Sequence, residues 1–320
     1  MVRRRPRGFA RSAFRVGRWV LGANILVGLL LTGWFFAQPE ERRQDVGRLV
    51  KNSLDRDKKV SAIDVGWDVW QLYYAEKATA PIAAGDKTFV YGGAPKLSGL
   101  ATGTALRVLQ NAGYVVGYYE SKGNPAWAAY RMRDIKTVPL IAERPDQFKT
   151  DLRTTARIAP DDYTGSDYDR GHLAPNYAIA SRYGEAAQRE TFLMSNITPQ
   201  RHALNAGLWK QLEMKIATSY PARYGEVWVF AGPVFGVRPD KLRSGVLVPD
   251  AFFMIIIDEH EGKLRTLAVI VPQEVPPAAE WSEYVTSVSE IQRRTRLDFF
   301  HEFDDAAEVQ IEEQRASRLW

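Results

Sequence analysis

The sequence of 320 residues contains no cysteine, which excludes a thiol nucleophile, an iron–sulfur cluster and a cysteine-based zinc site. It also lacks the Gly-x-Ser-x-Gly motif of serine hydrolases and the His-Glu-x-x-His motif of zinc proteases. Histidine is scarce, and the four histidines are His172, His202, His260 and His301. A reaction that needs a base near neutral pH therefore has few candidates.

Acidic residues are absent from the first 37 positions, which contain seven arginines. These positions carry +7 of a chain whose net charge is +5, so the remaining residues together carry −2. The positive charge of the chain therefore belongs to its N-terminal segment, and it is no argument for a nucleic-acid-binding surface elsewhere.

One long hydrophobic run is present, at residues 19–37, where nineteen consecutive residues are uncharged. As a helix this run would be about 28 Å long, which is enough to cross a bilayer. The arginines before it predict that residues 1–18 are cytoplasmic and that the rest of the chain lies outside. A signal peptide cleaved after Ala37 is the alternative, although bulky Phe35 is unfavourable for cleavage.

The rest of the chain predicts a stalk followed by one large domain. Residues 38–84 begin with a highly charged stretch and are interpreted as a stalk or linker. Two apolar runs on either side of a Gly/Asn/Pro turn predict a hairpin at residues 113–132. Further strands are predicted at 191–197, 226–235, 251–257 and 264–271, and helices at 184–190, 205–220 and 281–295. This order indicates an α+β domain with a mixed, mainly antiparallel sheet.

Three motifs concentrate polar residues in the middle of the chain. They are Asp169-Arg170-Gly171-His172, the stretch Ser195-Asn196-Ile197-Thr198-Pro199-Gln200, and Asn205-x-x-x-Trp209-x-x-x-Glu213. In this order they resemble the DNA/RNA non-specific endonucleases, the ββα-metal or His-Me nucleases that include endonuclease G and secreted bacterial nucleases. By motif order the resemblance covers about residues 85–305. It implies a ββα-metal nuclease domain over 85–305 and a C-terminal tail over 306–320.

The residue types in these motifs suit phosphodiester hydrolysis, which needs a base for water, a cation and donors that fix the phosphate. His172 is the candidate base, and the forked guanidinium of Arg170 suits a phosphate. The candidate cation is Mg²⁺, with Mn²⁺ as a substitute. The resemblance implies that Asn205 binds the ion directly and that Glu213 contacts it through water. Eight residues of helix, about 12 Å, separate these two residues, so both cannot bind one ion directly.

Three further residues of the motifs have less specific roles. The resemblance adds Asn196 as a site residue, and a strand-end amide that bonds to loop backbone is the alternative interpretation. Asp169 is expected to orient Arg170 or the backbone. Gly171 is expected to allow a close backbone approach.

Two positions depart from the family pattern. Ala217 stands four residues after Glu213, where some members have arginine, so that phosphate contact is absent or supplied by Lys215 or Arg201. Met254 stands at a strand position where the family often has lysine. Both departures would weaken nucleic-acid binding. The arginines considered for contacts along a nucleic-acid backbone, each with a solvated surface as the default, are Arg153, Arg157, Arg182, Arg189 and Arg201.

These observations predict a membrane-anchored, Mg²⁺-dependent endonuclease that cleaves DNA and RNA. Its partners are then DNA, RNA, a lipid bilayer through residues 19–37 and a second copy of the chain in a homodimer. The expected location is the inner membrane with a periplasmic catalytic domain; secretion after cleavage and the mitochondrial inner membrane are the alternatives. The alternative functions are a catalytically silent nucleic-acid-binding or scaffold protein on the same fold, and a phosphodiesterase for small or lipid substrates.

Overall fold

The computed structural model describes residues 88–98, 106–260, 263–276, 279–317 and 319–320, and a few positions between 25 and 47. Within this part of the chain, no helix combines the length and the apolar character that crossing a membrane requires. Nine of the nineteen residues of the predicted anchor at 19–37, and almost all of the predicted stalk, lie outside the described residues. The anchor therefore stays a prediction.

Antiparallel pairing dominates the described residues. The strands are β1 (Lys96–Leu97), β2 (Arg107–Gln110), β3 (Val115–Tyr119), β4 (Asn124–Arg133), β5 (Asp169–His172), β6 (Ile197–Gln200), β7 (Glu226–Val234), β8 (Ala251–His260), β9 (Lys263–Pro272), β10 (Val285–Thr286) and β11 (Leu297–Asp298). Seven of them form an antiparallel sheet in the order β10-β9-β8-β7-β4-β3-β2. β5 pairs with β6, and β1 with β11, in separate antiparallel ribbons. The predicted α+β fold with a mainly antiparallel sheet is confirmed.

The centre of the large sheet is buried on both faces. In β8, Phe252 and Met254 belong to one core cluster, and Phe253 and Ile255 belong to another. Neighbouring residues of a strand point to opposite faces, so a strand covered on both sides is apolar throughout, as residues 251–257 are. Met254 is fully buried, so this departure from the family pattern lies in the core and away from any nucleic-acid surface.

Helices cover both faces of the sheet. Among the described residues from 88 onward, the α- and π-helices are α1 (Asn176–Glu190), a π-helical turn (Leu204–Leu208), α2 (Trp209–Met214), a second π-helical turn (Lys215–Ser219), α3 (Tyr220–Tyr224), α4 (Val288–Thr295) and α5 (Asp305–Glu312). The four pieces from Leu204 to Tyr224 follow one another without a gap and are called the 204–224 helical segment. Leu212 of this segment packs in one core cluster, and Ile291 of α4 packs in the other.

The predicted strands agree with the structure except at residues 191–197. Phe192 and Met194 are buried at alternate positions, as in a strand, but Met194–Asn196 form a 3₁₀ turn. The buried amide of Asn196 bonds to backbone groups of its own loop and of the segment after β5, and strand β6 begins only at Ile197. The hairpin predicted at 113–132 is confirmed by the pairing of β3 with β4.

The predicted helices have the right positions but not the right limits. The helix predicted at 184–190 is the C-terminal half of α1, which contains a break at Gly184, where φ is 80°. The helix predicted at 281–295 begins only at Val288, because the Ser287 hydroxyl caps it by accepting a hydrogen bond from the Glu290 amide.

Candidate active site

The β5–β6 ribbon positions two of the predicted site residues. Alternate residues of a strand point the same way, so Arg170 and His172 of β5 project together. Gly171 lies between them, opposite Thr198 of β6. A Cβ atom at position 171 would lie 2.0 Å from the Oε1 atom of Gln200, so only glycine leaves room for that side chain. The group that lies close to the Gly171 backbone is therefore the Gln200 side chain.

Four of the five predicted site residues line one cleft of about 320 Å³. Arg170 and His172 come from β5, and Asn205 and Glu213 come from the 204–224 helical segment. Asn205 lies in the first π-helical turn, a wider form of helix that is frequent at functional sites. The ribbon and the helical segment therefore bring together side chains that the sequence separates.

His172 is half-buried in an apolar and cationic environment. The ring centroids of Phe148 and Phe192 lie 5.5 and 5.0 Å from that of the imidazole. Its Nε2 atom has no hydrogen-bond partner among the described residues. Burial, with a smaller effect from the Arg144 guanidinium, lowers the pKa of His172 to about 3. The imidazole is therefore neutral at physiological pH.

Asn205 is oriented by the first residue of β5. Its Nδ2 atom donates to the Oδ2 atom of Asp169 at 2.9 Å, and the Nδ1 atom of His202 lies 2.8 Å from the same oxygen. The amide oxygen of Asn205 is thus the atom left for a ligand in the cleft. The expectation that Asp169 orients Arg170 is wrong: Arg170 Nη2 donates to the carbonyl of Pro160 at 2.8 Å.

Glu213 carries a carboxyl group with an unusual affinity for protons. Burial raises the pKa of Glu213 to about 8, against the opposing effects of the Trp209 indole and the Lys210 ammonium. A cation near this carboxyl would favour its ionised form. Together with the amide oxygen of Asn205, the site offers the oxygen ligands that Mg²⁺ and similar divalent cations prefer.

Asn196, the fifth predicted residue, is fully buried and lies outside the lining of the cleft. Its Oδ1 atom accepts from the Ala174 amide at 2.9 Å, and its Nδ2 atom donates to the carbonyls of Ala174 and Thr191, both at 3.0 Å. The side chain therefore fixes the backbone two residues after His172, and its hydrogen bonds to protein are complete.

Arg144 is a cleft residue that sequence reasoning missed. It lines the cleft, and its guanidinium lies 5.3 Å from the ring centroid of Phe192. Residue 144 belongs to a stretch without regular secondary structure, where a charged residue is usually solvated, so no periodicity singles it out. The five arginines proposed from the sequence do not line the cleft of the described structure. Among them, Arg153 pairs with Asp151 and Arg189 with Glu185.

A second group of acidic residues lies outside the cleft. Carboxylate oxygens of Asp298, Glu308 and Glu312 all lie within 4.8 Å of one another. Burial, followed by the neighbouring charges of Glu308 and Asp298, raises the pKa of Glu312 to about 7. The three carboxyl groups lie on β11 and α5, and they repel one another when all three are ionised.

Comparisons with known proteins identify relatives. Residues 96–306 match the family described as DNA/RNA non-specific endonuclease. "Endonuclease G, mitochondrial" of Homo sapiens is 30% identical over 202 residues, which is 58% of this chain and 67% of that protein. A nuclease of Nostoc sp. is 29% identical over 211 residues, 62% of this chain and 75% of the relative. "Nuclease EXOG, mitochondrial" of Xenopus laevis is 28% identical over 222 residues, 63% of this chain and 60% of the relative.

The fold also has a counterpart among solved structures. A crystal structure of a complex of EndoG with EndoGI matches with a TM-score of 0.54 and 24% identity, over 62% of this chain and 86% of that chain. This likeness concerns the fold alone. The chain spans about three fifths of the length of the EXOG relatives it matches, with 60% for the Xenopus laevis and Homo sapiens proteins. Since the family match covers well over half of its residues, the chain belongs to the DNA/RNA non-specific endonuclease family.

Proposed function

We propose that this protein is an endonuclease that hydrolyses phosphodiester bonds of DNA and RNA with a single divalent cation. The observation that carries the proposal is the convergence of Arg170, His172, Asn205 and Glu213 on one cleft. A purely structural role leaves unexplained why a guanidinium, an imidazole, an amide and a carboxyl all face the same opening.

His172 is the general base in this proposal. A neutral imidazole can accept the proton of the attacking water, and the lowered pKa of His172 keeps it neutral in the free protein. The negative charge of a bound phosphate would raise that pKa and so strengthen the base when substrate is present. Asn196 acts here as a positioning residue, because it fixes the backbone that follows His172.

Asn205 and Glu213 hold the cation, for which we propose Mg²⁺, with Mn²⁺ as a substitute. Asp169 accepts a hydrogen bond from the Asn205 amide N–H, so the amide oxygen of Asn205 would be free to hold the ion directly, and Glu213 would hold it through water. When bound, the cation supplies positive charge to the phosphate and leaving oxygens.

Arg170 and Arg144, which line the cleft from outside the helical segment, hold the phosphate in this proposal. The guanidinium of Arg170 is half-buried and is anchored by the Pro160 carbonyl, which leaves further N–H donors for phosphate oxygens. Contacts of this kind engage the sugar–phosphate backbone and leave base edges unread. They support cleavage of both DNA and RNA with little sequence preference.

The location is part of the same proposal. We place the nuclease domain outside the cytoplasm of a bacterial cell, tethered by residues 19–37 to the inner membrane. The names of two of these relatives contain the word mitochondrial, which keeps the mitochondrial inner membrane as the alternative. The solved complex of EndoG concerns its inhibition, so an inhibitor protein is a further candidate partner, as is a second copy of the chain.

The test is a digestion assay on the full-length chain in detergent. Supercoiled plasmid and ribosomal RNA should both be degraded with Mg²⁺ and left intact with a chelator. His172→Ala should reduce the cleavage rate by about 10²-fold or more while DNA binding persists. Intact plasmid in every reaction would favour the silent scaffold, whereas hydrolysis of a small phosphodiester alone would favour the small-substrate alternative. Cleavage at the normal rate by His172→Ala would remove His172 from the role of base.

A further inference from the structure

Lys210 lies on the face of the helical segment that borders the cleft. It belongs to α2, five residues after Asn205 and three before Glu213. Ala206 and Met214, four residues before and after it, also line the cleft. Residues spaced by four share one face of a helix, so the Lys210 side chain extends along the opening.

The ammonium group of Lys210 is available for a ligand. The residue is exposed and has no hydrogen-bond or ion-pair partner among the described residues. Lys210 lines the cleft together with Asn205 and Glu213, so its positive charge lies beside the site. Arg170, in contrast, spends part of its donor capacity on the Pro160 carbonyl.

The other residues considered for a phosphate contact supply no positive charge to the lining of the cleft. Ala217 lines the cleft in the second π-helical turn and offers no donor, whereas neither Lys215 nor Arg201 lines it. Arg201 lies 4.6 Å from the ring centroid of Tyr168 and pairs with Glu274. Lys210 is therefore the cationic residue that the helical segment presents to the cleft in the described structure.

We propose that Lys210 binds a substrate phosphate next to the one that is cleaved, taking the place of the contact that Ala217 cannot make. This inference rests on the proposed function. Asn205 marks the cleaved phosphate, and Lys210 lines the same cleft five residues farther along the helical segment. A lysine acts as a flexible point charge, so it adds affinity for any backbone, DNA or RNA, and adds little to the chemical step.

The experiment compares Lys210→Ala with Lys215→Ala, a control at a neighbouring lysine that does not line the cleft. Binding of a fluorescent duplex is measured by anisotropy in chelator, which prevents cleavage, between about 50 and 200 mM NaCl. Loss of one phosphate contact lowers the slope of log affinity against log salt by about 0.9. The factor by which the DNA affinity falls over this salt range should therefore be about 3.5 times smaller for Lys210→Ala than for the unsubstituted protein. Lys210→Arg should restore the slope, and Lys215→Ala should keep it.

Cleavage kinetics then separate binding from chemistry. With Mg²⁺, Lys210→Ala should raise KM several-fold and change kcat by less than about twofold. An unchanged salt slope, or a slope that falls equally in Lys215→Ala, would overturn the proposal. So would a loss confined to kcat. Because the anisotropy assay needs no turnover, a protein that binds DNA but never cleaves it would refute the proposed function and still test the Lys210 contact.

Discussion

Replacing Asn196 by alanine should destabilise the domain strongly, because the side chain is fully buried and makes three hydrogen bonds to backbone groups. The substitution leaves the Ala174 amide and the carbonyls of Ala174 and Thr191 without partners. Each unsatisfied buried group costs about 1 to 3 kcal/mol. A total of at least about 3 kcal/mol corresponds to a decrease in Tm of about 6 to 12 °C for a domain of this size.

Thermal denaturation followed by circular dichroism measures this effect, and Ser195→Ala is the matched control. Ser195 is equally buried in the same 3₁₀ turn, but its hydroxyl makes a single hydrogen bond, to Asp151 Oδ2 at 2.6 Å. Its Tm should therefore fall by clearly less than that of Asn196→Ala. At about 10 °C, where both variants are expected to be folded, Asn196→Ala should keep kcat within about tenfold of normal. A normal Tm combined with a loss of kcat above about 10²-fold would show that Asn196 acts in the chemistry.

The remaining predictions concern the metal, two titrating groups and the anchor. Asn205→Ala should raise the Mg²⁺ concentration needed for half-maximal cleavage, whereas Glu213→Gln should mainly lower the rate at saturating Mg²⁺; identical metal titrations for Asn205→Ala and the unsubstituted protein would contradict direct binding. The imidazole proton resonances of His172 in the folded, metal-free protein should not shift between about pH 5 and 8, since its pKa is lowered to about 3, and a midpoint near the ordinary value would contradict the burial argument. The pKa of the Glu312 carboxyl is raised to about 7 in the folded protein, so its contribution to stability is present below the pKa of the unfolded chain and is lost as pH rises through 7. Glu312→Gln should therefore raise Tm at about pH 8 and leave it unchanged at about pH 5. An equal change at both pH values would show that the charge of Glu312 is irrelevant. In a bacterial host, the full-length chain should stay in the membrane pellet through a high-salt wash, and protease added to spheroplasts should digest the nuclease domain; a soluble protein that begins after Ala37 would show cleavage of residues 19–37 instead.

The antiparallel fold could be predicted because its strands are long apolar runs between recognisable turns. Residues 251–257 are apolar throughout, and the hairpin at 113–132 has its turn residues in place. The strand at 191–197 could not be excluded, since Phe192 and Met194 alternate as apolar residues of a strand do, although Met194–Asn196 form a 3₁₀ turn. Only the tertiary contacts of the Asn196 amide distinguish the two conformations.

The residues of the site were predictable in part, but the hydrogen bonds between them were not. Motif order predicted four residues that line one cleft, because two of them lie close together on one strand and the other two lie on one helical segment. Arg144 was not predicted, since it reaches the cleft from a stretch without regular secondary structure. The link from Asp169 to Asn205 and His202 joins two elements whose relative placement depends on the whole core, and no spacing encodes it.

The separate pairing of β5 with β6 has a consequence for heat inactivation. In the described residues these two strands form a backbone ladder only with each other, whereas β4, β7, β8 and β9 each have two neighbours in the large sheet. Regions held by fewer backbone ladders open at a lower free energy than the sheet to which they are attached. Catalytic competence and global unfolding are then distinct transitions, and the amide protons of Gly171 and Thr198 should exchange with solvent sooner than those at the centre of β8. If the cleft is the active site proposed above, activity should be lost on warming before the large sheet unfolds, and it should return on cooling.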